Sequence, residues 1–432
     1  MWILEPVPLA VTALAIFLLF PALGVADLGA VTSHGLGHPL ILFFLSLLLL
    51  SAAFVHVGLS RRVGHAVIVL ARGRPAVLIL LVLAVGAGLS MAITGLGAVT
   101  VLLAMALGIM PPGRPRARDE AHFARALLIA TSWGPMIGTL GTPAGAGSNP
   151  LAIGYLKELA GIEVTFLDWL VLGAPMVALL VPAAWLILLR LFPFQPAAVA
   201  EAIQLDAAQA TRPGPLRRQE KQVLMILGLM LALWSAAPAV SALTAGRVTL
   251  TLETVGLAAA LVVFLPGLDL LPWSVAQRET PWGTLLVLAG GLAAGVMFYR
   301  TGGAAWLTWQ LLGPLSQMAP IARLFVLGAG VSVLRLLFSS NTAAAAILIP
   351  LLIAMAQGLG LEAWAFTAPA IFAANLAFAL PAQAAINLTS YSAGAYSTRD
   401  LLKAGLPLTF VAVFVLGGVL LGVGWLTGRR LF

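Results

Sequence analysis

The chain has 432 residues, of which 61% are hydrophobic and 9% are charged, and its formal net charge is +8. Soluble globular domains carry about a quarter charged residues, so this composition excludes that class and indicates a polytopic membrane protein. Long apolar runs favour α-helices over a β-barrel, and the absence of cysteine excludes disulfides and thiol chemistry. The excess of Lys and Arg is typical of cytoplasmic loops, so no nucleic-acid partner is expected.

The first half of the chain alternates uninterrupted and broken apolar runs. In chain order these are spans at 7–26 and 39–56, an interfacial segment at 58–72, broken runs at 75–110 and 121–156, and a span at 169–191. Basic loops flank the run 75–110 on both sides, so the positive-inside rule predicts a re-entrant hairpin that enters from the cytoplasm. Glycines and prolines at 134–150 predict two half-helices joined by unwound backbone.

The second half repeats this order after a basic loop at 193–221, which is the predicted cytoplasmic linker. Its elements are spans at 222–240, 252–268 and 283–299, an interfacial segment at 302–315, a hairpin at 321–355, a broken helix at 365–392 and a span at 406–426. The polar run Ser339-Ser340-Asn341-Thr342 lies between two apolar arms and forms the predicted hairpin tip. A continuous helix, with Ser and Thr bonded to their own turn, is the alternative for this run.

Matching motifs recur in the two halves at an offset of about 240 residues. The matching positions are Gly58 and Gly302, Thr94 and Ser340, and Asn149 and Asn387. This order predicts an inverted-topology repeat of residues 1–192 and 222–432, with a substrate site between the repeats near the bilayer midplane. Loop charges place the N-terminus in the cytoplasm, and the span count then places the C-terminus outside the inner membrane.

Several stretches resemble the divalent anion:sodium symporter family, whose members move dicarboxylates, citrate or sulfate. The resemblance is carried by 2–14, 281–292, Gly141-Thr142-Pro143 with Asn149, Ser340-Asn341-Thr342, and Leu380-Pro381 with Asn387. It implies an all-α elevator-type transporter that forms a homodimer in the lipid bilayer. The chain begins where the family's second span ends, so the resemblance implies a divergent member without the usual first two helices, through either a misassigned start or a shortened branch of the family.

The resemblance also implies a site built from both hairpin tips and both unwound loops. The implied substrate-binding residues are Thr94, Thr142, Pro143, Ser340, Asn341, Thr342, Pro381 and Asn387. The implied sodium-binding residues are Gly95, Ser148, Asn149, Ser339 and Asn341. Oxygen ligands suit sodium, and the helix N-termini of broken helices stabilise anions. Because the first hairpin has Thr94-Gly95-Leu96 where the family has Ser-Asn-Thr, we expect the second tip to contribute more of the binding.

The predicted function is sodium-coupled symport of small anions, with di- or tricarboxylates as the first candidates. Carboxylate exchange, proton-coupled anion transport, cation/proton antiport and an arsenite-type permease remain alternatives. An antiporter requires an acidic intramembrane residue, and the predicted hairpins and unwound loops contain none. An enzyme would require a charged or nucleophilic cluster at one membrane face, and the sequence shows none. Arg335, five residues before Ser340, could attract substrate, snorkel to the interface or form a structural pair.

Overall fold

The computed structural model describes residues 6–111, 117–197, 199–200 and 214–427. Throughout these ranges the chain folds into helices, with no β-strand. Eight helices of this described part are long and apolar enough to cross a membrane, judged by length and composition. The predicted all-α membrane fold is therefore confirmed.

The first half of the chain contains nine α-helices within the described residues. They are α1 (Leu9–Ala22), α2 (Leu28–His34), α3 (Pro39–His56), α4 (Leu59–Ala71), α5 (Pro75–Ala92), α6 (Gly95–Ile109), α7 (Arg118–Gly138), α8 (Ser148–Ala160) and α9 (Phe166–Leu191). The helices of the second half follow in the same way. They are α10 (Arg218–Leu243), α11 (Leu252–Val262), α12 (Trp273–Glu279), α13 (Trp282–Arg300), α14 (Gly303–Leu312), α15 (Pro320–Leu334), α16 (Asn341–Gly358), α17 (Ala363–Ala373), α18 (Ala385–Tyr391) and α19 (Thr398–Thr427).

Most predicted spans coincide with helices, and α3 does so at both ends. The run predicted at 252–268 is shorter, because the chain turns after Val262 and Gly267 adopts a left-handed φ of 83°. The last helix begins at Thr398 instead of 406. Ser397 and Asp400 explain this earlier start by capping each other, with Asp400 N donating to Ser397 Oγ over 3.2 Å.

The predicted linker 193–221 is described only in part. Residues 198 and 201–213 of the linker lie outside the described residues, and its last four residues already belong to α10. The N-terminal residues 1–5 and the C-terminal residues 428–432 of the predicted repeats also lie outside the described ranges.

Both broken runs near the predicted tips consist of two helices with a short non-helical join. Ile93 and Thr94 separate α5 from α6, and these two helices pack against each other. In the second half, the 3₁₀ helix Arg335–Leu337 and residues 338–340 separate α15 from α16. There, α15 packs against α17 and α19. The polar run therefore lies at a break between helices, and the continuous-helix alternative is wrong.

Helix α7 lies at the centre of the first half, where it packs against α5, α6, α9 and α18. Its residues are buried on all sides from 126 to 138, as expected for a helix enclosed by other helices. The approach to α5 is close, because a Cβ on Gly138 would lie 2.2 Å from the carbonyl oxygen of Ala87. Glycine is required here to bring the end of α7 and its following loop next to α5.

Candidate functional site

The chain between α7 and α8, residues 139–147, is the first unwound loop, and Asn149 closes it. The Asn149 side chain is fully buried, and its Nδ2 donates to the carbonyl oxygens of Thr139 over 2.7 Å and Thr142 over 2.9 Å. These bonds satisfy backbone groups that the loop cannot pair within a helix. A single amide thus holds the first loop in a compact, curved form.

The chain between α17 and α18, residues 374–384, is the second unwound loop, and Asn387 closes it in the same manner. Asn387 Nδ2 donates to the carbonyl oxygens of Ala377 and Leu380. In both loops the acceptors lie ten and seven residues before the asparagine. This shared hydrogen-bonding pattern is independent of the sequence motifs that predict the internal repeat, and it supports that prediction.

Each predicted hairpin tip ends in a hydroxyl that caps the following helix. Thr94 Oγ1 accepts from Gly97 N at the start of α6, and Ser340 Oγ accepts from Ala343 N over 3.3 Å at the start of α16. Such an N-terminus presents further backbone N–H groups and a partial positive charge. We call Thr94 and Gly95 the first tip, and residues 339–342 the second tip.

The first tip contacts the first loop through neutral hydrogen bonds. Gly95 N donates to Gly145 O over 3.2 Å, and Thr142 Oγ1 donates to Met91 O over 2.7 Å. Space here is tight, because a Cβ on Gly95 would lie 2.7 Å from Ile386 Cδ1. Glycine at the position where the family has asparagine therefore fits a packed tip that lies against the first loop and the start of α18.

The second tip contacts the second loop through Arg335, which is fully buried. Its Nη1 donates to the carbonyl oxygens of Phe338 and Ser340, each over 3.2 Å. Its Nη2 donates to Asn341 Oδ1 over 2.6 Å and to Gln383 O over 2.7 Å. Complete burial rules out snorkelling to the interface, and the guanidinium clamps the tip to the loop.

Asn375 connects the second tip to the first loop, and the sequence analysis missed it. Its Oδ1 accepts from Asn341 Nδ2 over 3.2 Å and from Ser148 Oγ over 2.7 Å. Its Nδ2 donates to Asn149 Oδ1 over 3.0 Å. A fully buried asparagine within the apolar stretch that surrounds it was the signal available in the sequence, because such residues at membrane depth are rarely without a role.

The structure therefore brings most of the predicted site residues into one region. Asn341, Ser148 and Asn149 meet at Asn375, and Thr342 Oγ1 lies 3.0 Å from the Cβ position of Gly147 in the first loop. Pro143 and Pro381 are buried in the two unwound loops, and Ser339 is half-buried at the second tip. Neither proline makes a side-chain hydrogen bond, so the structure gives them a shaping role only.

Two buried oxygen atoms near the tips have no hydrogen-bond partner within the described residues, Ser90 Oγ and Asn387 Oδ1. Ser90 is fully buried, and its Oγ lies 3.1 Å from the Cβ position of Gly95. Buried polar atoms without partners are rare in proteins and often mark a ligand position. Neutral oxygen atoms of this kind are the ligands that a sodium ion prefers. Ser90 was not among the sequence predictions.

A separate cavity of about 1010 Å³ lies beside α4 and α6. Its lining includes the basic residues Arg61, Arg62 and Arg217, together with Thr100 on α6. Arg62 is held by Glu220, with Nη2 2.8 Å from Oε2 and Nε 3.2 Å from Oε1. Glu220 also belongs to the lining, so the wall of this cavity combines three arginines with one carboxylate.

The family model for the sodium:sulfate symporter transmembrane region matches residues 1–428. The chain belongs to this family. The match agrees with the divalent anion:sodium symporter family that the sequence motifs indicated, and it makes the protein a membrane transporter rather than an enzyme.

Individual relatives in the family are distant from this chain in sequence. The sodium-dependent dicarboxylate transporter SdcS of Staphylococcus saprophyticus is 26% identical over 436 residues, which cover 96% of this chain and 82% of that protein. A membrane protein of Cupriavidus necator is 27% identical over 302 residues. This second match covers 68% of this chain and 56% of the relative, so the chain spans little more than half the length of that protein.

Among solved structures, the YdaH transporter of Alcanivorax borkumensis has a similar fold. The two structures align with a TM-score of 0.57 and 19% sequence identity, over 93% of this chain and 88% of the other. At this identity the likeness supports the fold and carries no information about the substrate.

Proposed function

We propose that this member of the symporter family moves small dianions, with dicarboxylates as the first candidates, together with sodium ions. The observation that carries the proposal is the amide chain from Asn341 through Asn375 to Asn149. It joins a helix N-terminus at the second tip to an unwound loop from the other half of the protein. Sites at such junctions of broken helices are typical of secondary transporters.

The chemistry of this region suits an anion. The tips and loops offer backbone N–H groups, hydroxyls and amides, and the predicted hairpins and loops contain no acidic residue that would repel a carboxylate. We assign substrate contact to Thr94, Thr142, Ser340, Thr342 and Asn387, with Pro143 and Pro381 shaping the loops. The name of the SdcS relatives favours dicarboxylates over sulfate.

Sodium is best accommodated at the first tip and the first loop. Ser90 supplies a buried hydroxyl that has no partner in the described residues. Gly95 lies at the same tip, and Ser148 and Asn149 begin α8 directly after the first loop. Neutral oxygen atoms of this kind bind sodium beside an anion, since the ion balances part of the substrate charge. Binding of the two ligands at one junction would couple their movement.

The two halves, residues 1–192 and 222–432, are proposed to be inverted repeats, each with a re-entrant hairpin and a broken helix. The shared closing pattern of Asn149 and Asn387 supports this. Alternating access would then follow from movement of the tips and loops as one body, in a homodimer, with the N-terminus in the cytoplasm and the C-terminus outside.

The proposal is tested by uptake of labelled succinate, citrate and sulfate into proteoliposomes, with and without an inward sodium gradient. We expect sodium-dependent uptake of succinate, and equal uptake in both conditions would reject sodium coupling. Asn341→Ala should abolish uptake, because the tip loses its bonds to Asn375 and Arg335. Gln317→Ala, which shortens an exposed amide outside the site, is the matched control and should retain uptake.

Folding and binding effects at Asn341 are separated with a second variant. Asn341→Asp keeps an oxygen for Arg335 and should preserve the tip, while it loses the N–H that reaches Asn375 and adds a charge that repels an anion. We expect a folded protein with weak uptake. Normal uptake by both variants would reject the site assignment.

A further inference from the structure

We infer that the Arg335 guanidinium permanently fills a cation position at the second tip, so that this part of the site works without a sodium ion. The inference rests on the sodium coupling proposed above and refines it. It follows from the set of atoms around the guanidinium, from a comparison of the two tips and from the absence of an acidic partner.

The atoms that accept from Arg335 are those that a small monovalent cation would use. Three are backbone carbonyl oxygens, of Phe338, Ser340 and Gln383, and the fourth is Asn341 Oδ1. Carbonyl oxygens of unwound backbone and amide oxygens are the usual sodium ligands in transporters built from broken helices. All four oxygens already accept a hydrogen bond from the positively charged guanidinium of Arg335.

No ion pair in the described part of the chain involves Arg335. A fully buried guanidinium is commonly neutralised by a carboxylate, and here the four acceptors of its hydrogen bonds in the described residues are all neutral oxygens. The positive charge therefore remains available to the site, as the charge of a bound sodium ion would. A second cation among the same oxygens would be repelled by this charge.

The local backbone is shaped around the side chain. The 3₁₀ turn Arg335–Leu337 ends at Phe338, which is extended with φ −115° and ψ 135°. This change of direction returns the carbonyl oxygens of Phe338 and Ser340 toward the guanidinium of the same segment. The tip is thus held in its binding conformation by a covalently attached cation.

The first tip differs in this respect. The residue five positions before Thr94 is Leu89, where the second tip has Arg335 five positions before Ser340. The first tip and the neighbouring end of α5 meet the first loop through the neutral bonds of Gly95 and Thr142, and Ser90 Oγ has no partner among the described residues. Ser90 Oγ therefore offers an open oxygen for an ion at the first tip. At the second tip the four oxygens around the guanidinium already accept hydrogen bonds, and the buried Arg335 Nε, which has no partner in the described residues, is a donor that no cation can use.

The experiment counts sodium ions with a reporter that does not depend on transport. The chain has no cysteine, so Leu96→Cys, next to the first tip in α6, provides a single labelling site in this chain of 432 residues. Maleimide labelling is titrated with NaCl at constant ionic strength, in the Leu96→Cys parent and with Arg335→Gln or Arg335→Lys added. Succinate uptake is titrated with sodium in the same three proteins.

In the parent we expect a non-cooperative sodium titration, because the second tip binds no ion. A cooperative titration of the parent alone would overturn the inference. Arg335→Gln frees the four oxygens, so its titration should become steeper and require more sodium. Arg335→Lys keeps the charge and should behave as the parent. If Arg335→Gln weakens succinate binding many-fold and leaves the sodium titration unchanged, Arg335 is a substrate ligand and the inference is wrong. Labelling of the parent that ignores sodium altogether would instead reject the proposed coupling.

Discussion

Asn375 Nδ2 donates to Asn149 Oδ1 over 3.0 Å, although 226 residues separate the two asparagines. The same Asn375 side chain accepts from Ser148 and Asn341 through its oxygen. One amide therefore fixes the position of a loop from the first half of the chain relative to a tip from the second half. The contacts of a ligand bound between them would depend on the positions of both the loop and the tip.

The first prediction concerns the loss of this amide. Asn375→Ala removes the partner of the buried Ser148 Oγ and Asn149 Oδ1, and each such buried group costs about 1–3 kcal/mol. It also removes the acceptor of the half-buried Asn341 Nδ2. We expect a lower unfolding temperature in detergent and loss of substrate uptake. Gln219→Ala, which removes an exposed amide bonded to Asp269 O, is the control. Normal uptake by the Asn375→Ala protein would show that transport does not depend on this amide.

The second prediction uses the unpartnered hydroxyl of Ser90. Ser90 Oγ has no hydrogen-bond partner in the described residues, so Ser90→Ala should leave the unfolding temperature without sodium unchanged or raise it. The added stability that sodium gives should fall, because a ligand stabilises the folded state only in proportion to its binding. The measurement is thermal unfolding with NaCl against KCl.

A matched control for Ser90 is Ser46, whose buried hydroxyl donates to Leu42 O over 2.6 Å. Ser46→Ala should lower the unfolding temperature equally in both salts. If Ser90→Ala retains the full response to sodium, the ion binds elsewhere.

The third prediction contrasts two glycines that lie in helices. Gly138→Ala would place a Cβ 2.2 Å from Ala87 O, so α7 and α5 must separate and the protein should express poorly or unfold at lower temperature. Gly88 lies in α5, and apart from its chain neighbours and the nearby backbone of α5 no described atom lies within 4 Å of its Cβ position. Gly88→Ala should therefore be neutral, or stabilise by about 0.5–1 kcal/mol through helix propensity. Equal behaviour of the two variants in thermal unfolding would contradict this packing.

The sequence predicted the helical elements well where hydropathy alone defines them, as for α3. It was less accurate where a polar turn belongs to a helix. The start of α19 at Thr398 depends on the capping pair Ser397 and Asp400, whose polarity hides the helix from a hydropathy pattern. Local hydrogen bonds of this kind lie outside what an apolar run can indicate.

The sequence predicts the site residues that stand in motifs, but not the residues that connect them. Motif resemblance indicated Asn149, Asn341 and Asn387, because they stand in recognisable short sequences. Asn375 and Ser90 stand in no motif, and only packing brings them next to the tips. For Arg335 the sequence left three alternatives open, since complete burial among carbonyl oxygens depends on contacts with a segment 48 residues later.

The fourth prediction concerns pH. His38 precedes α3, and its Nδ1 accepts from Leu40 N over 3.2 Å, which requires an unprotonated nitrogen. Burial lowers the pKa of His38 below its ordinary value of 6.5, and this outweighs the opposite effects of the nearby Glu158 and Glu253, while His34 and Lys157 act in the same direction as burial. The contribution of His38 to stability is therefore complete above pH 6.5 and is lost as the pH falls below it, because the unfolded chain then takes up a proton more readily.

This is measured as the unfolding temperature above and below pH 6.5. His38→Asn keeps a capping oxygen and cannot titrate, so the acid-side decrease should become smaller. His56→Asn, at the exposed opposite end of α3, should leave the decrease unchanged. An identical pH profile for all three proteins would assign the pH dependence to other groups.

The buried Arg335 also has a consequence for the response to membrane voltage. A sodium ion is released with the substrate, whereas a side chain returns with the empty carrier. If the second tip moves across the field, its charge contributes in both directions, and one elementary charge is worth about 2.3 kcal/mol per 100 mV. A negative potential in the cytoplasm would then favour the inward-facing state of the empty carrier. The return of the empty carrier, rather than the movement of the loaded carrier, would then limit the rate of transport.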